Sequence, residues 1–199
     1  MIQKIKELFS AKAILETMET MRRPNGAFIA SPGPYYVATW LRDTLYCTFS
    51  YYYLGQYEKL KEGMWVVFDI FKRYSEKIEK RIASPQDIFD GIIHAKYDAN
   101  TLDLIVGNDK WAHDQVDVIG LFLYIVADLD FKNIRIIREG SDDINVLKLL
   151  IYYLRSIEYW DRHDNGIWEE CKLSHSSSIG SIVAGLSYIK RQRLFDVPD

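Results

Sequence analysis

The chain has 199 residues, of which 48% are hydrophobic and 27% charged, with a formal net charge of −3. That is enough for one domain with a real core and too little for two comfortable ones. The acidic balance gives nucleic acid no footing, and no basic run suggests an anionic membrane surface. Aromatics reach 14%, with fourteen Tyr and five Trp, a surplus shared by sugar-stacking clefts and by Tyr-rich helix packing. Cys47 and Cys171 lie in unrelated contexts without metal-ligand spacing. A reduced pair is expected, a lone disulfide being the alternative. The first twenty-one residues alternate Lys and Glu with apolar residues and lack a signal-peptide core, and no segment is apolar enough to span a bilayer. The expected compartment is the cytoplasm.

In chain order, Ile5, Leu8, Phe9, Leu15 and Met18 mark an amphipathic helix over about residues 2–21, stopped by Arg23-Pro24-Asn25-Gly26. Residues 27–34 read as a loop. Over 40–54 no charge follows Asp43, and the pattern predicts an interior helix, apolar all round and closed by Gly55. A two-faced helix is expected over about 58–80, with Leu60, Met64, Val67, Phe68, Phe71 and Tyr74 inward. Ser84-Pro85 opens an irregular region to Lys110, with a short ribbon expected at 102–106. A second interior helix is predicted over about 113–127, then a two-faced one capped by Ser141 and Asp142, then an uncharged one over 175–189. Wet-faced and interior helices thus alternate as three outer–inner hairpins, the pattern of a two-layered α/α array. The inner helices start too unevenly for a solenoid, whose period is roughly 34 to 47 residues.

The polar exceptions fall at the starts of the interior helices. Trp40-Leu41-Arg42-Asp43 opens the first, Trp111-Ala112-His113-Asp114-Gln115-Val116-Asp117 the second, and Gly166-Ile167-Trp168-Glu169-Glu170 precedes the third. If these helices run parallel, the three clusters gather at one mouth, where unpaired amides, acids and indoles suit a polyol. Each Asp alone also reads as an N-cap, Arg42 with Asp43 as a structural ion pair, and Trp168 as an indole folded back from an exposed turn. His94, His113, Asp114 and Asp117 share no zinc spacing, so no metal is expected. Ser177 and His175, two apart on a helix, do not face each other as a nucleophile pair would.

These segments, with His94-Ala95-Lys96-Tyr97, Val106-Gly107-Asn108-Asp109 and Ser176-Ser177-Ser178-Ile179-Gly180, resemble the catalytic toroid of glycoside hydrolase family 15, the glucoamylases. The likeness is closer still to the related domain of phosphorylase kinase alpha and beta subunits and its prokaryotic relatives. It extends over nearly the whole chain in the family's order and spacing. The resemblance implies an all-α fold of the (α/α)6-toroid type, of which residues 1–199 form about the N-terminal half. It implies that Arg42 and Asp43 bond the terminal glucose, that Trp40 and Trp111 wall it, and that Gln115 and Asp117 line the same pocket. Glu169 would be the general acid beside Trp168, with Glu170 contacting the next sugar. An apolar indole and a like-charged neighbour both raise a carboxyl pKa, as such an acid needs, while the following helix N-terminus lowers it.

Family members invert configuration, which needs a base carboxylate roughly 6.5–9.5 Å from the acid with water between. No residue here matches the family's base motif, which falls in the second half of the ring. Half a ring, from a shortened or split gene, is the expectation, with weak sugar binding and little turnover. Its uncovered inner helices would exceed the apolar surface monomers tolerate, so self-association or pairing with a complementing C-terminal half is expected. The rival readings are a non-catalytic sugar-sensing domain, as in the phosphorylase kinase subunits, and a plain helical scaffold. No cofactor is implied, and the expected partner is an oligosaccharide or α-1,4-glucan.

Overall fold

The computed structural model describes residues 11–33, 37–85, 92–105, 113–168 and 171–197. Within them lie α1 (Ala11–Met21), β1 (Ala38–Trp40), α2 (Leu41–Tyr53), α3 (Tyr57–Arg73), α4 (Ser75–Ala83), β2 (Lys96–Asp98), α5 (Asp117–Phe131), α6 (Asp143–Ser156) and α7 (Ser176–Gln192). The inner layer is α2, α5 and α7. Of these, α5 and α7 touch backbone to backbone. A methyl group on Gly120 would stand 2.4 Å from the Ile182 nitrogen, and one on Gly185 would stand 2.5 Å from the Gly120 carbonyl oxygen. Only hydrogen at both positions permits that approach.

The inner helices run parallel. At one end Arg42, at the start of α2, bonds Asp117, at the start of α5, and Ser181 near the start of α7 donates to the Asp117 carbonyl at 2.8 Å. At the other end Lys132, just past α5, lies 4.6 Å from the Tyr52 ring near the end of α2. There, too, the Tyr188 hydroxyl of α7 donates to Asp128 of α5 at 3.1 Å. The outer layer backs onto this. Phe68 and Phe71 of α3 meet Phe122 of α5 edge-on, with centroids 4.8 and 5.2 Å apart. The Trp65 N–H donates to the Ile136 carbonyl at 2.8 Å. Arg138 ties Asp69 of α3 to Asp143 at the start of α6. Leu45, Leu60, Met64, Leu147, Leu150, Leu154 and Ile182 fill the space between the layers.

The structure departs from the sequence expectations in five places. The helix expected over 58–80 is two, parted where Tyr74 leaves helical geometry (φ −103°, ψ 17°), and the Tyr74 hydroxyl accepts the Leu104 N–H at 2.6 Å. Of the ribbon expected at 102–106, Leu104 makes a single antiparallel bridge to Tyr97 and Val106 lies outside the described residues, while the paired strands are β2 and β1, antiparallel with Thr39 facing Tyr97. Asp98 accepts the N–H groups of Asn100 and Thr101, both at 2.8 Å, and this turn folds Leu104 back beside Tyr97. The second interior helix begins at Asp117, not near 113, because the Asp114 carbonyl takes the Asn165 N–H at 2.7 Å. At α6 only Ser141 caps through its side chain, accepting the Asp143 N–H at 3.2 Å, while Asp142 makes no such bond. Finally, α2 is not buried all round. Leu41, Thr44, Leu45, Thr48 and Tyr51 are buried, but Tyr46 and Tyr53 are 56% and 76% exposed. Tyr124 and Phe131 of α5 and Val183 of α7 are exposed as well. The first helix is described from Ala11, so the part expected at 2–10 lies outside the described residues. Gly55 does terminate α2, at φ +66° with its N–H on the Tyr52 carbonyl.

Candidate functional site

Three helix N-termini converge where the parallel inner rods begin, and each brings the positive end of a helix dipole. Two first-turn acids answer that charge, Asp43 on α2 and Asp117 on α5. Arg42, one residue into α2, is held as a fork. Its Nε and Nη2 donate to Asp117 Oδ2 and Oδ1 at 2.9 and 2.8 Å, the two-point geometry that fixes a guanidinium most firmly. Nη2 also donates to Gln115 Oε1 at 2.8 Å, and Nη1 reaches the Ile167 carbonyl at 3.4 Å. The pair is nearly dry, with side-chain exposures of 12% for Arg42 and 9% for Asp117. Asp43 points outward, its carboxyl pushed above the usual value by desolvation against the opposing charge of Arg42.

The loop that ends at Ile167 is itself pinned. Asp164 and Leu173 exchange two backbone hydrogen bonds of 3.0 Å, closing residues 164–173 at their base. Between them Gly166 takes φ +60°, and a side chain there would meet the His175 ring at 2.9 Å. The Asp164 carboxylate is fully buried, and its Oδ2 accepts the Val116 N–H at 3.2 Å and the Ser178 hydroxyl at 2.8 Å. Desolvation lifts its pKa against the lowering effect of those two bonds. Beside it Asp114, also buried, takes Arg162 and Lys172 on one oxygen, both at 2.7 Å.

The sequence model for glycosyl hydrolases family 15 matches residues 7–199. The chain belongs to glycosyl hydrolases family 15. Over 184 residues it is 28% identical to the liver isoform of the phosphorylase b kinase regulatory subunit alpha of Takifugu rubripes, covering 78% of this chain and 14% of that protein. Over 112 residues it is 30% identical to the skeletal muscle isoform of Oryctolagus cuniculus, covering 53% of this chain and 9% of that protein. Among solved structures, a glycosidase variant superposes with a TM-score of 0.73 at 20% identity, covering 87% of this chain and 47% of that one. A glycosidase variant in complex with glucose gives a TM-score of 0.71 at 21% identity with the same coverage. Hormoconis resinae glucoamylase gives 0.56 at 17%, covering 91% of this chain and 33% of that one. The fold is therefore all-α and of the (α/α)6-toroid type, and the chain spans about half the length of the solved glycosidases.

Within this family 15 frame, the structure brings Arg42, Gln115 and Asp117 together and sets Asp43 beside them. Trp40 ends β1 immediately before α2. It is 6% exposed, with the Lys96 ammonium 5.4 Å from its ring. Trp168 stands 80% exposed rather than folding back on the core. Trp111, Glu169 and Glu170 lie outside the described residues. Both cysteines are free, and burial pushes the Cys47 thiol up to about 11. Among the described residues no group of three or more His, Cys, Asp or Glu could hold a metal ion. Sequence reasoning missed the Ile167 carbonyl, Asp164 and Ser178. The Asp164-Asn165-Gly166 run reads as turn chemistry, and nothing in it signals a carboxylate that faces inward.

Proposed function

We propose that this end of the inner helices is a glucose-recognition site of a glucoamylase-like, inverting glycoside hydrolase. Its substrate is the non-reducing end of an α-1,4-glucan or oligosaccharide. The observation that carries the reading is the Arg42 fork, dried and aimed by Asp117 and Gln115, beside the Ile167 carbonyl. Arg42 and Asp43 bond the terminal sugar, Trp40, Trp111 and Trp168 supply apolar surface, Gln115 and Asp117 line the pocket, and Glu170 reaches the next unit. Glu169, two residues past Ile167, protonates the glycosidic oxygen. The base carboxylate that inversion requires has no match in this sequence. A complementing half of the ring, or a second copy of the chain, covers the open inner flanks. The work is done in the cytoplasm, and residues 1–199 act as one α/α domain.

A second reading, that of a sugar-binding regulatory domain without turnover, is favoured by the regulatory-subunit relatives at 28% identity. Calorimetric titration with maltose and an acarbose-like ligand tests the shared part. Binding lost in Arg42→Ala supports it, and no binding by the wild-type chain refutes it. A hydrolysis assay on maltooligosaccharides separates the two readings. The chain alone should turn over little. Turnover abolished by Glu169→Gln would establish the hydrolase, and binding without turnover even with a complementing half would establish the regulatory domain.

A further inference from the structure

We propose that Asp164 is the positioning residue of this site, holding the Arg42 cradle in place without touching sugar. Its consequence for ligands rests on the sugar-binding reading above, while the geometry stands apart from it. Asp164 joins three pieces of chain remote in sequence, two through its carboxylate and one through its backbone. Oδ2 accepts the N–H of Val116, which belongs to the peptide unit linking Gln115 to Val116 and sits one residue before Asp117. The same oxygen accepts the Ser178 hydroxyl, so the first turn of α7 is drawn to the start of α5. The Asp164 backbone meanwhile pairs with Leu173, and three residues on, past the left-handed Gly166, lies the Ile167 carbonyl. Gln115 and Asp117, two of the three acceptors of Arg42, thus trace back to the buried Asp164 carboxylate, and the third, Ile167, to the backbone of the same residue.

The carboxylate is held through one oxygen. Both bonds fall on Oδ2, while Oδ1 is buried without a hydrogen-bond partner, an arrangement that costs stability. The neighbouring Asp114 shares the pattern, with both partners on Oδ2 and Oδ1 buried without one, whereas Asp143 of the outer layer is satisfied on both oxygens. Asp143 is equally buried, and Arg138 alone engages both its oxygens, Oδ2 through its backbone N–H and Nε and Oδ1 through Nη2.

The test reads the Arg42 side-chain Nε–Hε resonance by NMR in the ligand-free chain, together with maltose affinity by calorimetry. Asp164→Ala removes both acceptor bonds and should shift the Arg42 resonance and weaken maltose about tenfold. Asp164→Asn keeps an oxygen that accepts both bonds and should stay within about threefold of wild type. Asp143→Asn should lower the melting temperature while leaving the Arg42 resonance in place, which separates positioning from general stability. Should Asp164→Ala fail to fold, Ser178→Ala removes one bond and reads the same resonance. An Arg42 resonance unmoved in folded Asp164→Ala or in Ser178→Ala overturns the proposal. Wild-type chain that ignores maltose overturns the sugar reading only, because the resonance still judges the positioning role.

Discussion

The contact between α5 and α7 makes the same substitution act with opposite signs at two glycines. At Gly120 an added methyl would sit 2.4 Å from the Ile182 nitrogen and the Ser181 carbonyl carbon, and 2.6 Å from the Ile182 Cα. These are backbone atoms of a packed helix, so no rotamer change relieves them. The two helices must separate by about 1 Å to restore ordinary contact. Overpacking of this kind costs about 1–3 kcal/mol and more where the backbone must move, so about 3 kcal/mol is expected here. Alanine returns about 1 kcal/mol in helix propensity, leaving a net loss of about 2 kcal/mol. For a chain of this length that lowers the melting temperature by about 4–8 °C. Gly180, on the same α7, has nothing within 4 Å of its would-be methyl. There Ala should keep the propensity gain of about 0.5–1 kcal/mol and raise the melting temperature by roughly 1–4 °C. Thermal melts followed by circular dichroism decide the matter. If Gly120→Ala melts at or above wild type, or the two variants shift in the same direction, the backbone contact is not as described.

Removing the Arg42 side chain should cost about 3–5 kcal/mol, because the nearly buried Asp117 carboxylate is left without its cation. Asp117→Asn added to Arg42→Ala should recover part of that loss in urea denaturation, and failure to recover any would mean the pair is not coupled. Asp143 provides a pH test. Desolvation raises its pKa, but the hydrogen bonds and charge of Arg138 outweigh it and hold the carboxyl below its ordinary 3.8. A depressed folded pKa stabilises the fold fully above the unfolded value and loses that contribution as pH falls through the folded one. The stability gap between wild type and Asp143→Asn should therefore be constant near neutrality and close below 3.8, and a gap that widens on acidification would contradict the assignment. The exposed Tyr46, Tyr53, Tyr124 and Phe131 predict concentration-dependent association in light scattering, reduced in Tyr53→Glu with Phe131→Glu. A clean wild-type monomer at high concentration would count against that association.

How much of this was legible in the sequence depended on whether the deciding contact was local. The alternation of wet-faced and interior helices shows in the spacing of Leu60, Met64, Val67, Phe68 and Phe71, since burial on one side imposes a 3.6-residue period whatever the partner is. The break at Tyr74 does not show, because the apolar stripe runs through it and the contact its hydroxyl makes is with Leu104, thirty residues away. The pairing of Thr39 with Tyr97 was equally hidden, for three-residue strands carry too little alternation to announce themselves. The site divides the same way. Arg42, Gln115 and Asp117 could be read as a set because each opens a greasy helix with a polar exception, and parallel inner helices bring such openings together. Asp164 could not, since its neighbours spell a turn and its partners, Val116 and Ser178, lie on either side of it in the chain, at the starts of two different helices. Polar residues at the openings of the inner helices break a hydrophobic pattern and so can be seen. Those that hold the first set in place sit in loops where polarity is ordinary, and only coordinates separate them from the turns they resemble.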